Sequence, residues 1–185
     1  MSTADALSEH AALLARVEEL VPQVDDVARR LIAAFESGGR VYTFGNGGSS
    51  ADAAHFAEEL LGRYKRERRP LPAQSLSTDA SALTCIANDY SYDEVFERQV
   101  RGFVRRGDVV IGFSTSGRSP NVVRGLAAAQ ELGAFTVLFG GGPPAADHAD
   151  VAFTIPSEST ARIQEMHVLL LHLILEQVDE WAASH

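Results

Sequence analysis

Phe44-Gly45-Asn46-Gly47-Gly48-Ser49-Ser50 leads directly into Ala51-Asp52-Ala53-Ala54-His55-Phe56-Ala57-Glu58-Glu59-Leu60. The residues before it, Arg40-Val41-Tyr42-Thr43-Phe44, are short, apolar and β-prone, and Gly-Asn-Gly-Gly lets such a strand turn tightly into a helix. Ser49 and Ser50 are expected at the N-cap of that helix. A helix start offers unpaired N–H groups and the positive end of the backbone dipole, so an anion is stabilised there without a lysine. No Lys or Arg lies between positions 41 and 61. Gly-Lys-Ser/Thr is missing, so the run is not a P-loop, and its spacing does not fit the dinucleotide fingerprint. Taken alone, the turn fits plain turn chemistry as well as anion binding.

Working outward, Leu7, Ala11, Leu14, Val17, Leu20, Val21, Val24, Val27, Leu31 and Ile32 recur at three- and four-residue steps. This periodicity predicts amphipathic helix over about 6–37, with a break at Pro22, that covers the sheet or packs on another copy. Downstream the pattern predicts a strand over 73–77, helices over 78–87 and 93–105, a strand over 108–113 buried on both faces, and a helix from Pro120 to Leu132. Two more strands follow over 135–139 and 151–155, then a last helix over 159–182. Alternation of this kind predicts a three-layer α/β sandwich with an open parallel sheet. Residues 1–39 are read as an N-terminal helical extension serving assembly, and residues 40–185 as the α/β domain.

A chain of 185 residues is large enough for one well-packed core. Its net charge of −9 and pI near 5.1 argue against a general nucleic-acid surface. Arg63, Lys65, Arg66, Arg68 and Arg69 form a local basic cluster, read mainly as a solvated turn ahead of Pro70 and Pro72. Cys85 is the only cysteine, which excludes an intrachain disulfide and a cysteine metal cage. Its Leu83-Thr84-Cys85-Ile86 setting suggests packing. The first residues lack a basic and then apolar leader pattern, and no run of about 18 apolar residues occurs. The expectation is a soluble, cytoplasmic protein with no membrane partner.

A second small-residue turn, Ser114-Thr115-Ser116-Gly117-Arg118-Ser119, follows the strand over 108–113. Both turns lie at the carboxyl ends of strands, the edge where open α/β sheets bind ligands. Two such turns, each presenting hydroxyls and amides at a helix start, favour phosphate binding, with helix capping as the plainer role. On the first helix Asp52, His55 and Glu59 share one face. His55 and Glu59 can hold a divalent cation or a proton, or form an ordinary surface ion pair. On the last helix Gln164, His167 and His172 interrupt an apolar run, where a histidine is more often a hydrogen-bonded core residue than a ligand.

Five ordered motifs carry a resemblance: Gly-Asn-Gly-Gly-Ser from Gly45, His-Phe-Ala-Glu-Glu-Leu-Leu-Gly-Arg-Tyr from His55, Ala-Asn-Asp from Ala87, Ser-Thr-Ser-Gly-Arg-Ser from Ser114, and Ala-Arg-Ile-Gln-Glu-Met-His from Ala161, with His172 five residues further on. Together they resemble the phosphoheptose isomerase family of the sugar isomerase (SIS) domain superfamily, over nearly the whole chain. The resemblance implies a flavodoxin-like SIS fold and aldose–ketose isomerisation of sedoheptulose 7-phosphate to D-glycero-D-manno-heptose 7-phosphate, in a zinc-binding homotetramer. It implies that Ser49, Ser114, Thr115, Ser116 and Ser119 hold the phosphate beside Gly47 and Gly48. Asn46, Asp89 and Gln164 would contact the sugar, with Arg63 a basic residue of the site. His55, Glu59, Gln164 and His172 would be the metal ligands, and Glu59 and His172 the acid–base pair.

The chemistry accounts for these residue types. Moving a carbonyl between C1 and C2 requires removing a proton from carbon, holding an enediolate and returning the proton to the neighbouring carbon. Glu59 suits the base and His172 the exchange of protons with the sugar oxygens, while zinc would polarise the carbonyl. If Glu59 is also a ligand, one carboxylate oxygen is expected on the metal and the other at the proton. Eight helical residues separate Gln164 from His172, about 12 Å, which is long for two ligands of one ion. Active sites shared between subunits are therefore expected.

Two other readings stay open. A non-enzymatic branch of the superfamily binds the bacterial replication initiator, but residues matching Glu59 and His172 are understood to be absent there. Other SIS isomerases make another heptose epimer or act on another sugar phosphate through the same acid and base. The segment Gly140-Gly141-Gly142-Pro143-Pro144 departs from the family's usual pattern and is read as a shortened, stiffened connection.

Overall fold

The structure, a computed structural model, describes residues 2–142 and 149–184. Five parallel strands, β1 (Val41–Gly45), β2 (Ala73–Ser75), β3 (Val109–Ser114), β4 (Phe135–Gly141) and β5 (Val151–Ile155), form one sheet in the order β2-β1-β3-β4-β5. This is the flavodoxin-like order. Among the described residues seven α-helices cover it: α1 (Thr3–Val17), α2 (Val21–Glu36), α3 (Gly48–Leu61), α4 (Ala80–Asp89), α5 (Val95–Phe103), α6 (Pro120–Glu131) and α7 (Thr160–Ala182).

Strand alternation divides the core in two. Val41, Val109, Ile111, Phe113, Val137, Phe139, Phe153 and Ile155 point to one face and pack against α1, α2, α3 and α7. Tyr42, Phe44, Val110 and Leu138 point to the other face, against α5 and α6 with α4 at the margin. This is the period of two expected of strands buried on both sides. On α3 the spacing Ala53, Phe56, Leu60 buries one stripe against the sheet, and truncating Phe56 to Ala would cost about 3–5 kcal/mol.

The long N-terminal periodicity resolves into two helices. A short 3-10 turn over Glu18–Leu20 separates α1 from α2, and Pro22 lies in the first turn of α2, where its missing N–H has no partner to lose. The break thus precedes Pro22. Ser2 closes α1 with a reciprocal capping box to Asp5. Val24, Val27 and Leu31 of α2 share one core with Leu171, Ile174 and Val178 of α7. Gly140 and Gly141 belong to β4 rather than to a loop, while Pro143 and Pro144 lie outside the described residues. Among the described residues no helix is long and apolar enough to cross a membrane.

Because β3 lies beside β1 and not β2, the chain leaves these neighbouring strands toward opposite faces. After β1 it enters α3 on one side, and after β3 it enters α6 on the other. The carboxyl ends of β1 and β3 therefore flank a crevice at the topological switch point.

Candidate active site

The first wall of this crevice is the turn after β1. Gly47 has φ +54 and ψ −122, a conformation open only to glycine. Gly47 is itself the N-cap of α3, with no side-chain capping bond, so Ser49 and Ser50 are not caps as expected. Ser49 lies buried in the first helical turn, and the Ser50 hydroxyl donates to the Gly47 carbonyl at 2.6 Å. A Cβ at Gly48 would overlap the side-chain amide of Gln164. Gly48 thereby admits an α7 side chain to the start of α3.

The second wall is the turn after β3. Ser114 Oγ lies 2.9 Å from Ser119 Oγ and 3.3 Å from Ser116 Oγ. The Arg118 N–H donates to Ser116 Oγ at 3.2 Å, and Gly117 takes φ +65 to close the turn. Ser119 occupies the N-cap position of α6 yet makes no capping bond. Its hydroxyl is turned into the turn instead, which sets aside the plain capping role. Thr115 is half-buried and Ser116 exposed at the same edge.

Asn46 joins the walls. It exchanges two hydrogen bonds with Asn121 at the start of α6, Asn46 Nδ2 to Asn121 Oδ1 at 2.8 Å and Asn121 Nδ2 to Asn46 Oδ1 at 2.9 Å. The Tyr92 hydroxyl also donates to Asn46 Oδ1, at 2.9 Å. Neither Asn121 nor Tyr92 was singled out by sequence; the only signal was a second polar residue straight after Ser119-Pro120.

Further along α3 lies a cluster that could hold a metal ion. One ligand atom each of His55, Glu59 and His172 can be chosen so that all lie within 4.8 Å of one another. His55 Nε2 is 3.3 Å from Glu59 Oε1. The His55 and His172 rings meet edge to face with centroids 5.1 Å apart, and the Tyr64 ring centroid lies 5.6 Å from that of His172. Burial holds His172 below the usual imidazole range, with the nearby His55 adding to the effect and the Glu59 and Glu176 carboxylates opposing it. Depression keeps the ring neutral near pH 7, the form that binds a metal or accepts a proton. Two imidazoles and a carboxylate suit zinc-type divalent chemistry with an open position. One turn earlier, Asp52 is buried with Oδ2 unpartnered, and burial pushes its carboxyl up to about 6 against the pull of His55.

Other expected site residues are distributed differently. Gln164 sits at Gly48, at the start of α3, whereas His172 meets His55 further along the same helix. Arg63 is exposed beyond the end of α3, with Glu67 3.6 Å away. Asp89 ends α4, exposed, accepting from Asn88 at 2.7 Å and from the Cys85 thiol at 3.5 Å. Cys85 is exposed rather than packed, because α4 buries no residue fully. His167 takes the core role: fully buried, 3.1 Å from the Gly140 carbonyl, with Phe113 and Phe139 edge-on.

Arg63, Lys65, Arg66 and Arg69 of the basic cluster are exposed, as the solvated reading expects, and Arg68 is the departure. The Arg68 side chain is buried, donating to the Glu59 carbonyl at 2.6 Å, the Leu60 carbonyl at 2.8 Å and the Asp179 carboxylate at 3.3 Å. It satisfies the open carbonyls at the end of α3 and ties that end to α7.

The SIS domain family model matches residues 7–152. The phosphoheptose isomerase of Aquifex aeolicus is 51% identical over 90% of this chain and 88% of its own length. The chain belongs to the phosphoheptose isomerase family. The relative from Geobacter metallireducens, also named phosphoheptose isomerase, is 46% identical over 94% of both chains. The solved phosphoheptose isomerase of Neisseria gonorrhoeae superposes with a TM-score of 0.90, covering 96% of each chain at 38% identity. Membership makes this chain a phosphosugar isomerase.

Proposed function

We propose that the protein interconverts sedoheptulose 7-phosphate and D-glycero-D-manno-heptose 7-phosphate through an enediolate. The observation that carries this reading is the convergence of Glu59 and His172 from two helices, Glu59 lying on the same helix α3 whose start forms one wall of the crevice. The phosphate rests on the start of α3 and on Ser49, Ser114, Thr115, Ser116 and Ser119, where amides and hydroxyls hold an anion without a cation. Asn46, Asp89 and Gln164 hold the sugar. Glu59 removes the proton from carbon and returns it to the neighbouring carbon, while neutral His172 moves protons at the sugar oxygens.

His55, Glu59 and His172 fit a divalent cation, and we assign zinc to them. When bound, it would polarise the sugar carbonyl and stabilise negative charge on oxygen. Glu59 would offer one carboxylate oxygen to the ion and keep the other for the proton. Three of the four expected ligands come from one protomer. The fourth, Gln164, lies about 12 Å along α7 from His172, so its metal role belongs to a shared site. A homotetramer in the cytoplasm completes the account, in which each crevice keeps its own Gln164 at Gly48 and a neighbouring copy brings Arg63 and a metal cluster to it.

The test is product analysis by chromatography with sedoheptulose 7-phosphate and with pentulose and hexulose phosphates, for the parent and Glu59→Gln. Preferential turnover of the heptulose phosphate, lost in Glu59→Gln while the assembly persists, supports the reading. Preferential turnover of another ketose phosphate moves it to a different sugar.

A further inference from the structure

Asn121 has no part in the mechanism above, although it is buried at the start of α6. Its Oδ1 accepts the backbone N–H of Val122 at 2.9 Å. With the amide reversed, its NH2 group would face that N–H donor to donor, so this contact decides which end is oxygen. Nδ2 is then obliged to donate to Asn46 Oδ1, at 2.9 Å. Tyr92 supplies a second donor to the same oxygen, also at 2.9 Å. A carbonyl oxygen has two lone pairs, and both are engaged. Asn46 Nδ2 spends one hydrogen on Asn121 Oδ1 at 2.8 Å and keeps one more.

We propose that Asn121, assisted by Tyr92, is a positioning residue that makes Asn46 a donor-only group facing the crevice. The crevice then selects an acceptor oxygen on the sugar, a carbonyl or the oxyanion that develops from it, over a hydroxyl that must donate. This inference rests on the phosphosugar reading of the crevice. The pair spans the switch point, since Asn46 follows β1 and Asn121 follows β3, so both walls set the direction of a single N–H. A donor aimed in advance at an oxygen that gains charge acts more on the transition state than on the ground state. Loss of Asn121 therefore falls on kcat more than on KM.

The test is a double-mutant cycle with sedoheptulose 7-phosphate as substrate. Asn46→Ala should lower kcat by about 100-fold, as expected for removal of an oxyanion donor. Asn121→Ala should lower it by about tenfold or more with KM within about threefold, and the double variant should be no worse than Asn46→Ala by more than about twofold. Tyr92→Phe alters an exposed side chain and so carries the cycle if Asn121→Ala does not fold. It should lower kcat by about threefold in the parent and not at all in Asn46→Ala. Equal losses in both backgrounds would overturn the proposal, as would an unchanged kcat in Asn121→Ala or Tyr92→Phe. An unchanged kcat in Asn46→Ala overturns it and leaves the isomerase reading standing, whereas a parent that does not turn over this substrate removes both.

Discussion

The Arg68 guanidinium and the Asp179 carboxylate, each side chain 1% exposed, face each other at 3.3 Å and join the end of α3 to α7. Asp179 also accepts the Arg66 backbone N–H at 3.0 Å, so one carboxylate closes the whole turn after α3. Removing one partner of a buried pair strands the other charge, and Asp179→Ala should cost about 3–5 kcal/mol. Urea unfolding at fixed protomer concentration checks this. Asp179→Asn keeps the shape and should cost less.

Gly48→Ala separates folding from function. The new Cβ meets only the end of the Gln164 side chain, which can swing away, so the melting temperature should change little. The displaced amide leaves the start of α3, and KM for the sugar phosphate should rise while circular dichroism stays unchanged.

His167 predicts the acid limb of stability. Burial lowers its pKa from 6.5 to about 4, so between these values the unfolded chain binds a proton that the folded chain does not. Its contribution is complete above pH 6.5 and is lost as pH falls through about 4, amounting to roughly 3 kcal/mol. His167→Gln keeps a donor for the Gly140 carbonyl and does not titrate. Its stability should fall less steeply than the parent's between pH 6.5 and 4 in denaturant unfolding.

Asp52 slopes the other way. Its folded pKa, raised to about 6 by burial, means that the folded state holds the extra proton, so stability is lost as pH rises through 6. Asp52→Asn should raise the melting temperature of metal-free protein at pH 7, with the gain fading below pH 4.

The fold was legible because each level of the sequence agreed with the next. Apolar strands such as Val109-Val110-Ile111 needed two covered faces, and Pro120 and the Gly-rich turn marked helix starts. His55 and Glu59 were legible as a pair because four residues bring them together on any helix. Arg68 was not legible. A basic run reads as solvated until its partner is known, and Asp179 is 111 residues away. Asn121 was hidden for the same reason, its partner Asn46 lying 75 residues earlier. Cys85 misled in the opposite direction, since apolar neighbours in sequence promise burial only when the helix face is covered.

The most direct measurement is proton NMR of sedoheptulose 7-phosphate incubated with the protein in deuterium oxide. A base acting at carbon exposes the transferred proton to solvent exchange before delivering it, so at least part of the aldoheptose phosphate made by the parent should carry deuterium at C2. Glu59→Gln, folded and still assembled, should slow turnover by about 10²–10⁴-fold. Complete absence of deuterium from the aldose, or no conversion by the parent, would contradict the enediolate account, and undiminished turnover by Glu59→Gln would remove Glu59 as the base.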